Sequence, residues 1–224
     1  MKQKFFQSIN LYKLCTMNIV LVAATAFELE AFKSLPATSH NISLKVHEIG
    51  LMAATFHLQQ IAAQQPDLII QCGIAGSYHD HLAIGETVVV ANDTTDIGAE
   101  NQDHLLSLFD LNLQQADQLP FVQQLLPCPF LNTFDTGLQK VNALSVNCAS
   151  GTALTIQKRK TKYHASIETM EGAALHYVGL MTQTPFLQIK TISNLVTIRN
   201  RAEWNVALAL ANNATEIKKI ITTL

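Results

Sequence analysis

Short apolar runs rich in Ile and Val, each closed by turn residues, recur at Asn18 to Ala23, Leu44 to Ile49, Leu68 to Gln71, Glu86 to Ala91, Ala143 to Val146 and Phe186 to Ile192. Their near-continuous apolarity predicts strands covered on both faces rather than strands half-exposed to water. Between several of them the apolar positions take helical spacing, at Phe27 to Leu35, Met52 to Gln64, Thr152 to Arg159, Gly172 to Met181 and a closing helix from about Glu203 to Ile221. Strand and helix alternating in this way predict an α/β domain, a three-layer sandwich with a central mixed, mostly parallel sheet. Asn92 to Gln139 holds neither period and is broken by Pro120, Pro127 and Pro129, so it reads as a loop-rich insertion, placed where it could border an active site.

Composition narrows the class. The chain has 224 residues, 48% hydrophobic and 14% charged, enough for one sizeable core and within the range of a single domain. With a formal net charge of -2 and Lys158, Arg159, Lys160 and Lys162 as the only basic cluster, nucleic acid is not an expected partner. No run reaches the roughly 18 apolar residues of a membrane span, so no membrane is expected either. Cys15, Cys72, Cys128 and Cys148 lie far apart without a Cys-x-x-Cys pair, which fits a reducing cytoplasm better than a zinc site or a disulfide framework. Met1 to Thr16 lacks the continuous apolar core of a secretory signal and reads as a disordered tail or an upstream start ahead of Met17, which leaves residues 17–224 as the folded domain.

Ligands of open α/β folds collect at the carboxyl ends of strands, so the residues after each apolar run are the candidates for chemistry. Glu28 follows the first strand, where a carboxylate also fits as a simple complement to a helix dipole. Gln71-Cys-Gly-Ile-Ala-Gly-Ser77 follows the third apolar run, and Gly73 and Gly76 would let a ligand approach the backbone, although a tight turn explains them equally well. The spacing is neither a dinucleotide nor a Walker fingerprint. Glu168 and Glu171 flank Met170 before a helix of small residues, and Ser193 and Asn194 close the last buried strand. His79 and His81 alternate as strand-borne metal ligands can, but no third ligand accompanies them, and no metal site is expected.

Taken together, the order and spacing of these segments resemble the nucleoside phosphorylase superfamily, in particular its hydrolytic, nucleosidase branch. The resemblance covers about Met17 to Leu224. It rests on Glu28, on Ile49-Gly50, on the Gly73 to Gly76 loop, on Leu82-Ala-Ile-Gly-Glu-Thr-Val-Val-Val90, and most specifically on Met170-Glu-Gly-Ala-Ala174 followed by Ile192-Ser-Asn194. It implies a nucleoside-phosphorylase-like fold, a nucleoside substrate, no cofactor, and a homodimer with the site near the interface.

By the same resemblance, Glu171 holds the ribose hydroxyls, Met170 packs on the sugar face, and Glu28 activates a water. Ile49, Gly73, Ile74, Ala149, Gly151 and Ser193 contribute to substrate binding, and Asn194 acts on the base. Met170 also fits as an ordinary core methionine. Ile74 stands where phosphorylases commonly carry a serine, and Ala24 to Phe27 contains no arginine, so the resemblance implies water rather than phosphate as nucleophile. Asn194 occupies the place of an aspartate in the adenine-specific members. An amide cannot give up a proton, but it can donate to N7 and O6 of a 6-oxopurine, or pair with N7 and N6 of adenine.

The change suits a 6-oxopurine, whose base leaves more readily than adenine, so the resemblance implies hypoxanthine as the preferred leaving group. Ser145 to Gly151 and Arg199-Asn-Arg-Ala-Glu-Trp204 resemble a branch whose substrate joins a hypoxanthine nucleoside to an aromatic carboxylate. There Arg199, Arg201 and Trp204 could meet the carboxylate and ring, or simply begin an exposed helix. A catalytically silent nucleoside-binding protein on the same fold stays open at this point.

Overall fold

The computed structural model describes residues 16–224 apart from Pro36 and Asp103; the expectation for the N-terminal extension falls almost wholly outside the described residues. The elements in chain order are β1 (Asn18–Ala23), β2 (Asn41–Val46), α1 (Leu51–Ala62), β3 (Leu68–Gln71), β4 (Ile74–Ser77), β5 (Thr87–Thr95), β6 (Gly98–Asn101), β7 (His104–Ser107), β8 (Leu126–Pro127), β9 (Gln139–Ser145), α2 (Ala153–Tyr163), β10 (Ile167–Thr169), α3 (Gly172–Thr182), β11 (Phe186–Leu195) and α4 (Val206–Thr223).

Nine strands form one sheet in the order β2-β1-β3-β11-β4-β10-β9-β5-β8, with most neighbours parallel and β10–β4, β11–β5 and β5–β8 antiparallel. The mixed, mostly parallel sheet and its flanking helices are the α/β architecture expected from the strand-helix alternation. Because β11 also pairs with β5, the strands β11, β4, β10, β9 and β5 close on themselves into a small barrel at one end of the sheet. The ten residues of β11 make this closure reachable: Phe186 to Gln188 pair with β3, Ile189 to Thr191 with β5, and Thr191 to Leu195 with β4.

The central strands are buried along their length; β3 and all but the last residue of β11 are shielded from water. Helix α1 turns Ala54, Leu58, Ile61 and Ala62 to the core, the i, i+4, i+7, i+8 stripe of an amphipathic helix. Helix α3 is buried on nearly every side, and its small residues permit close approach. A methyl group on Gly172 would overlap Asp93 and Gln188, and one on Gly179 would overlap the Phe186 ring.

Three expectations need correction. The helix expected over Phe27 to Leu35 does not form; the segment is a turn followed by a single 3-10 turn at Glu30–Phe32. The Thr25 amide and hydroxyl donate to Glu28 Oε2 at 3.0 Å each and the Glu28 amide donates to Thr25 Oγ1 at 3.3 Å, a capping-box pattern, yet only the single 3-10 turn follows it. Ile74–Ser77, expected as a loop, is a strand, because β11 and β10 pair with it on either side. The insertion Asn92 to Gln139 is not loop-rich throughout: it carries the end of β5, the β6–β7 hairpin and β8, and none of its residues lines the cavity described below.

Candidate active site

A cavity of about 520 Å³ opens at the carboxyl ends of the strands, within the range of small-molecule sites. Each wall follows from one strand. The turn after β1 supplies Thr25, Phe27 and Glu28, and β4 supplies Ile74, Ala75 and Gly76. The segment after β9 supplies Ala149 and Ser150, the end of β10 supplies Glu168 to Glu171, and the end of β11 supplies Ser193 and Asn194.

Of the residues expected from sequence, Glu28, Ile49, Ile74, Ala149, Met170, Glu171, Ser193 and Asn194 all line this cavity. Gly73 and Gly151 are not among its lining residues. Gly73 has φ +127, and a Cβ there would lie 2.6 Å from Glu28 Oε1, so the absent side chain makes room for that carboxylate. The Gly151 carbonyl accepts from the Arg199 amide at 3.5 Å and ties the two neighbouring wall segments together.

One end of the cavity is acidic above a buried cation. Glu28 Oε2 is committed to Thr25, which leaves Oε1 as the oxygen turned toward Gly73 and Lys190. Glu171 Oε1 accepts from the Gly50 amide at 3.0 Å. Burial raises the Glu171 carboxyl above its ordinary value; Lys190 and the Gly50 amide oppose that shift, and Glu28 adds to it. Lys190 is 3% exposed, and its ammonium donates to Cys72 O at 3.0 Å.

Beneath Glu171, His47 is fully buried and burial lowers it to about 4, so the ring is neutral. Its Nδ1 donates to Glu48 O at 2.9 Å, and its Nε2 accepts from Gln71 Nε2 at 3.1 Å. Gln71 Nε2 also lies 3.4 Å from Glu171 O, so this pair buttresses the turn that carries the carboxylate.

The opposite end is built for hydrogen bonding. The register of β11 against β4 skips between Ile192 and Asn194, which makes Ser193 the extra residue of a β-bulge. A regular strand would send these neighbours to opposite faces, whereas the bulge lets both reach the cavity. Across β4, Glu168 accepts from the Ser150 amide at 2.8 Å, the Ser150 hydroxyl at 2.5 Å, Arg159 at 3.4 Å and the Tyr78 hydroxyl. Arg159 also pairs with Asp96. At the rim, the Arg199 and Arg201 guanidinium carbons lie 5.3 and 5.9 Å from the Trp204 ring centre, and all three residues line the cavity.

Nothing in the residue pattern marks Lys190, His47, Gln71 or Tyr78 as part of the site, and Glu168 stands out only as a carboxylate flanking Met170. Among the described residues no group of three or more His, Cys, Asp or Glu could hold a metal ion, and His79 and His81 stack on one another at 5.1 Å. No helix among the described residues is long and apolar enough to cross a membrane.

A family model described as "Phosphorylase superfamily" matches residues 31–224. A curated relative, futalosine hydrolase of Streptomyces coelicolor, is 28% identical over 162 residues, which is 70% of this chain. The match spans 66% of that relative's own length, just under two thirds. A Helicobacter pylori MTAN mutant solved with 5'-methylthioadenosine in its active site superposes with a TM-score of 0.78 at 14% identity, over 94% of this chain and all of the other. A mutant futalosine hydrolase of Helicobacter pylori gives 0.77 at 15% identity, over 93% of this chain and all of the other. At such identities the two structures are likenesses of fold.

Proposed function

The chain belongs to the phosphorylase superfamily, and we propose that within it this protein is a nucleosidase that hydrolyses the N-glycosidic bond of futalosine, releasing hypoxanthine and leaving dehypoxanthine futalosine for menaquinone biosynthesis. The observation that carries this reading is the pairing, across one cavity, of a carboxylate end at Glu28 and Glu171 with an amide end at Asn194.

Cleaving a purine N-glycoside leaves positive charge on the ribose and negative charge on the base, so the two ends of the site must differ in kind. Glu171 meets the ribose hydroxyls and places negative charge beside the developing cation, with Met170 against the sugar. Glu28 Oε1, the oxygen left free by Thr25, orients a water and takes its proton as the water oxygen bonds to C1' and the bond to N9 breaks. Lys190 opposes the rise that burial imposes on the Glu171 carboxyl. At the other end Asn194 Nδ2 donates to the base. No arginine lines the Glu28 end, and Ile74 offers no hydroxyl, which favours water over phosphate.

Futalosine also carries an aromatic carboxylate, and Arg199, Arg201 and Trp204 at the cavity rim supply two cations and a ring to receive it. The proposal extends to a cytoplasmic homodimer formed by residues 17–224. Ile49, Met52 and Phe56 are 61%, 88% and 60% exposed, and they leave an apolar face beside the cavity that a second copy would cover.

The test is base release from futalosine with and without phosphate. Hypoxanthine and a free sugar hydroxyl at C1' in both cases are expected. A sugar 1-phosphate would make the protein a phosphorylase, and cleavage of methylthioadenosine but not futalosine would give it the other substrate class of the branch.

A further inference from the structure

The ladder between β11 and its parallel neighbours is interrupted behind the Glu28 end of the cavity. β11 pairs with β3 as far as Gln188 opposite Gln71, and with β4 only from Thr191 opposite Ile74. Ile189 and Lys190, in between, turn to β5. Gly73 falls in this interruption, between the end of β3 and the start of β4, and it is buried. A buried amide there needs a partner that the ladder does not supply.

The partner comes from the last helix. Asn213 of α4 is 1% exposed, and its Oδ1 accepts from the Gly73 amide at 3.1 Å. Its Nδ2 donates to Ile189 O and to Thr191 Oγ1, each at 3.2 Å. One side-chain amide thus bridges Gly73 to β11 where the strands part, in place of a missing backbone rung. The Gly73 carbonyl is held from the other side, accepting from the Thr191 amide at 3.1 Å.

Glycine can take many backbone conformations, so its φ of +127 here is fixed by these bonds and not by its own preference. That conformation decides where Glu28 sits. The space over the Gly73 Cα is filled by Glu28 Oε1, 2.6 Å from where a Cβ would stand, so a shift of this peptide moves against the carboxylate directly.

Resting on the nucleosidase reading above, we propose that Asn213 is a positioning residue for the reaction, its amide locking the Gly73 peptide in the one conformation that seats Glu28 Oε1 toward the attacking water. Asn213 does not line the cavity, so it acts on the carboxylate and not on the substrate. Helix α4 is anchored independently of it, by Ala209, Ile217, Ile220 and Ile221 in the core and by Asn212 Nδ2 donating to Gly85 O at 2.7 Å. Loss of the Asn213 amide therefore frees Gly73 before it frees the helix.

The experiment measures kcat and KM for futalosine in Asn213→Ala, in Gly73→Ala and in the double variant. Thr191→Val is a milder companion that removes only the hydroxyl accepting from Asn213 Nδ2. In Asn213→Ala kcat should fall roughly tenfold, the effect of one unsatisfied buried donor, while KM stays near wild type. In Thr191→Val the fall should be about threefold, again in kcat alone. Because Asn213 and Gly73 act on one peptide, the double variant should be little slower than the slower single variant. Wild-type kcat in folded Asn213→Ala, a loss that appears in KM instead, or losses that multiply in the double variant would each overturn the proposal. Where Asn213→Ala fails to fold, Thr191→Val decides, and wild-type kcat there overturns it. Absence of base release from any nucleoside by wild type, or full turnover in Glu28→Gln, would instead sink the reading on which the proposal rests.

Discussion

Ser193 Oγ donates to Asn194 Oδ1 at 2.7 Å, which fixes the amide so that Nδ2 donates one hydrogen to Leu195 O at 2.9 Å and keeps the other for a ligand. The bulge at Ser193 is what brings these neighbours into one cavity, so the polarity of the base-facing group is set by backbone geometry as much as by residue type.

Asn194→Ala is expected to lower kcat/KM by the roughly 1 to 3 kcal/mol of an unsatisfied polar group, and Ser193→Ala by about 1 kcal/mol through loss of amide orientation. Asn194→Asp should move preference toward 6-amino bases, since an ionised carboxylate repels the 6-oxo group while a protonated one can still donate to N7. Paired kcat/KM values for futalosine and its 6-amino counterpart check all three variants. An unchanged ratio in Asn194→Asp would place base selection elsewhere.

For Glu28 the expectation is a loss confined to chemistry. Glu28→Gln should abolish turnover while calorimetric substrate affinity stays near wild type, because the proposed role of the group is on water and not on the ligand. Gly73→Ala should mimic it in part: the new methyl meets Glu28 Oε1 at 2.6 Å, on a backbone at φ +127 that alanine resists. Strain of about 1 to 3 kcal/mol is expected there, appearing mainly as reduced kcat. Normal kcat in Gly73→Ala would show that Glu28 can act from another position.

A pH signature should come from behind the site. Asp93 is fully buried and held by Ser145 and the Thr94 amide, yet burial pushes its carboxyl up from 3.8 to about 7. The fold therefore takes up a proton at Asp93. That contribution is complete below about pH 4 and is lost as pH rises to about 7, by at most about 4 kcal/mol. The buried rings of His47 and His176, lowered from 6.5 to about 4, act the other way and are lost as pH falls through that window. In Asp93→Asn only the first dependence disappears. Thermal unfolding should show the variant gaining on wild type between about pH 4 and 7 and holding a constant difference above; a difference independent of pH would contradict the assignment.

Much of this arrangement was legible from residue pattern. The apolar runs marked β1 and β3 at their true bounds; Glu28 and Asn194 stood out because they follow such runs, and Met170 and Glu171 because they precede a helix of small residues. Lys190 was not legible as a functional group, since a lysine inside an apolar strand has the look of an interruption; only the fold puts Glu28, Glu171 and Gly73 around its ammonium. Glu168 lies in a strand of three residues, too short to show a period, and its importance comes from partners at Tyr78, Ser150 and Arg159 that are distant in the chain. β4 escaped notice because its two central residues, Ala75 and Gly76, have little β-propensity; pairing on both sides overrides that preference. The β11–β5 closure and the bulge at Ser193 are register features, and register carries no local sequence signal in a strand buried on both faces.

The most direct test of the whole account is a side-by-side measurement of kcat/KM for futalosine and methylthioadenosine with purified protein in phosphate-free buffer. An amide at the base end, with two guanidiniums at the rim, predicts efficient hypoxanthine release from futalosine and at least roughly tenfold poorer adenine release from methylthioadenosine. Equal or better use of methylthioadenosine would contradict the assignment of Asn194 and the Arg199 to Trp204 rim together.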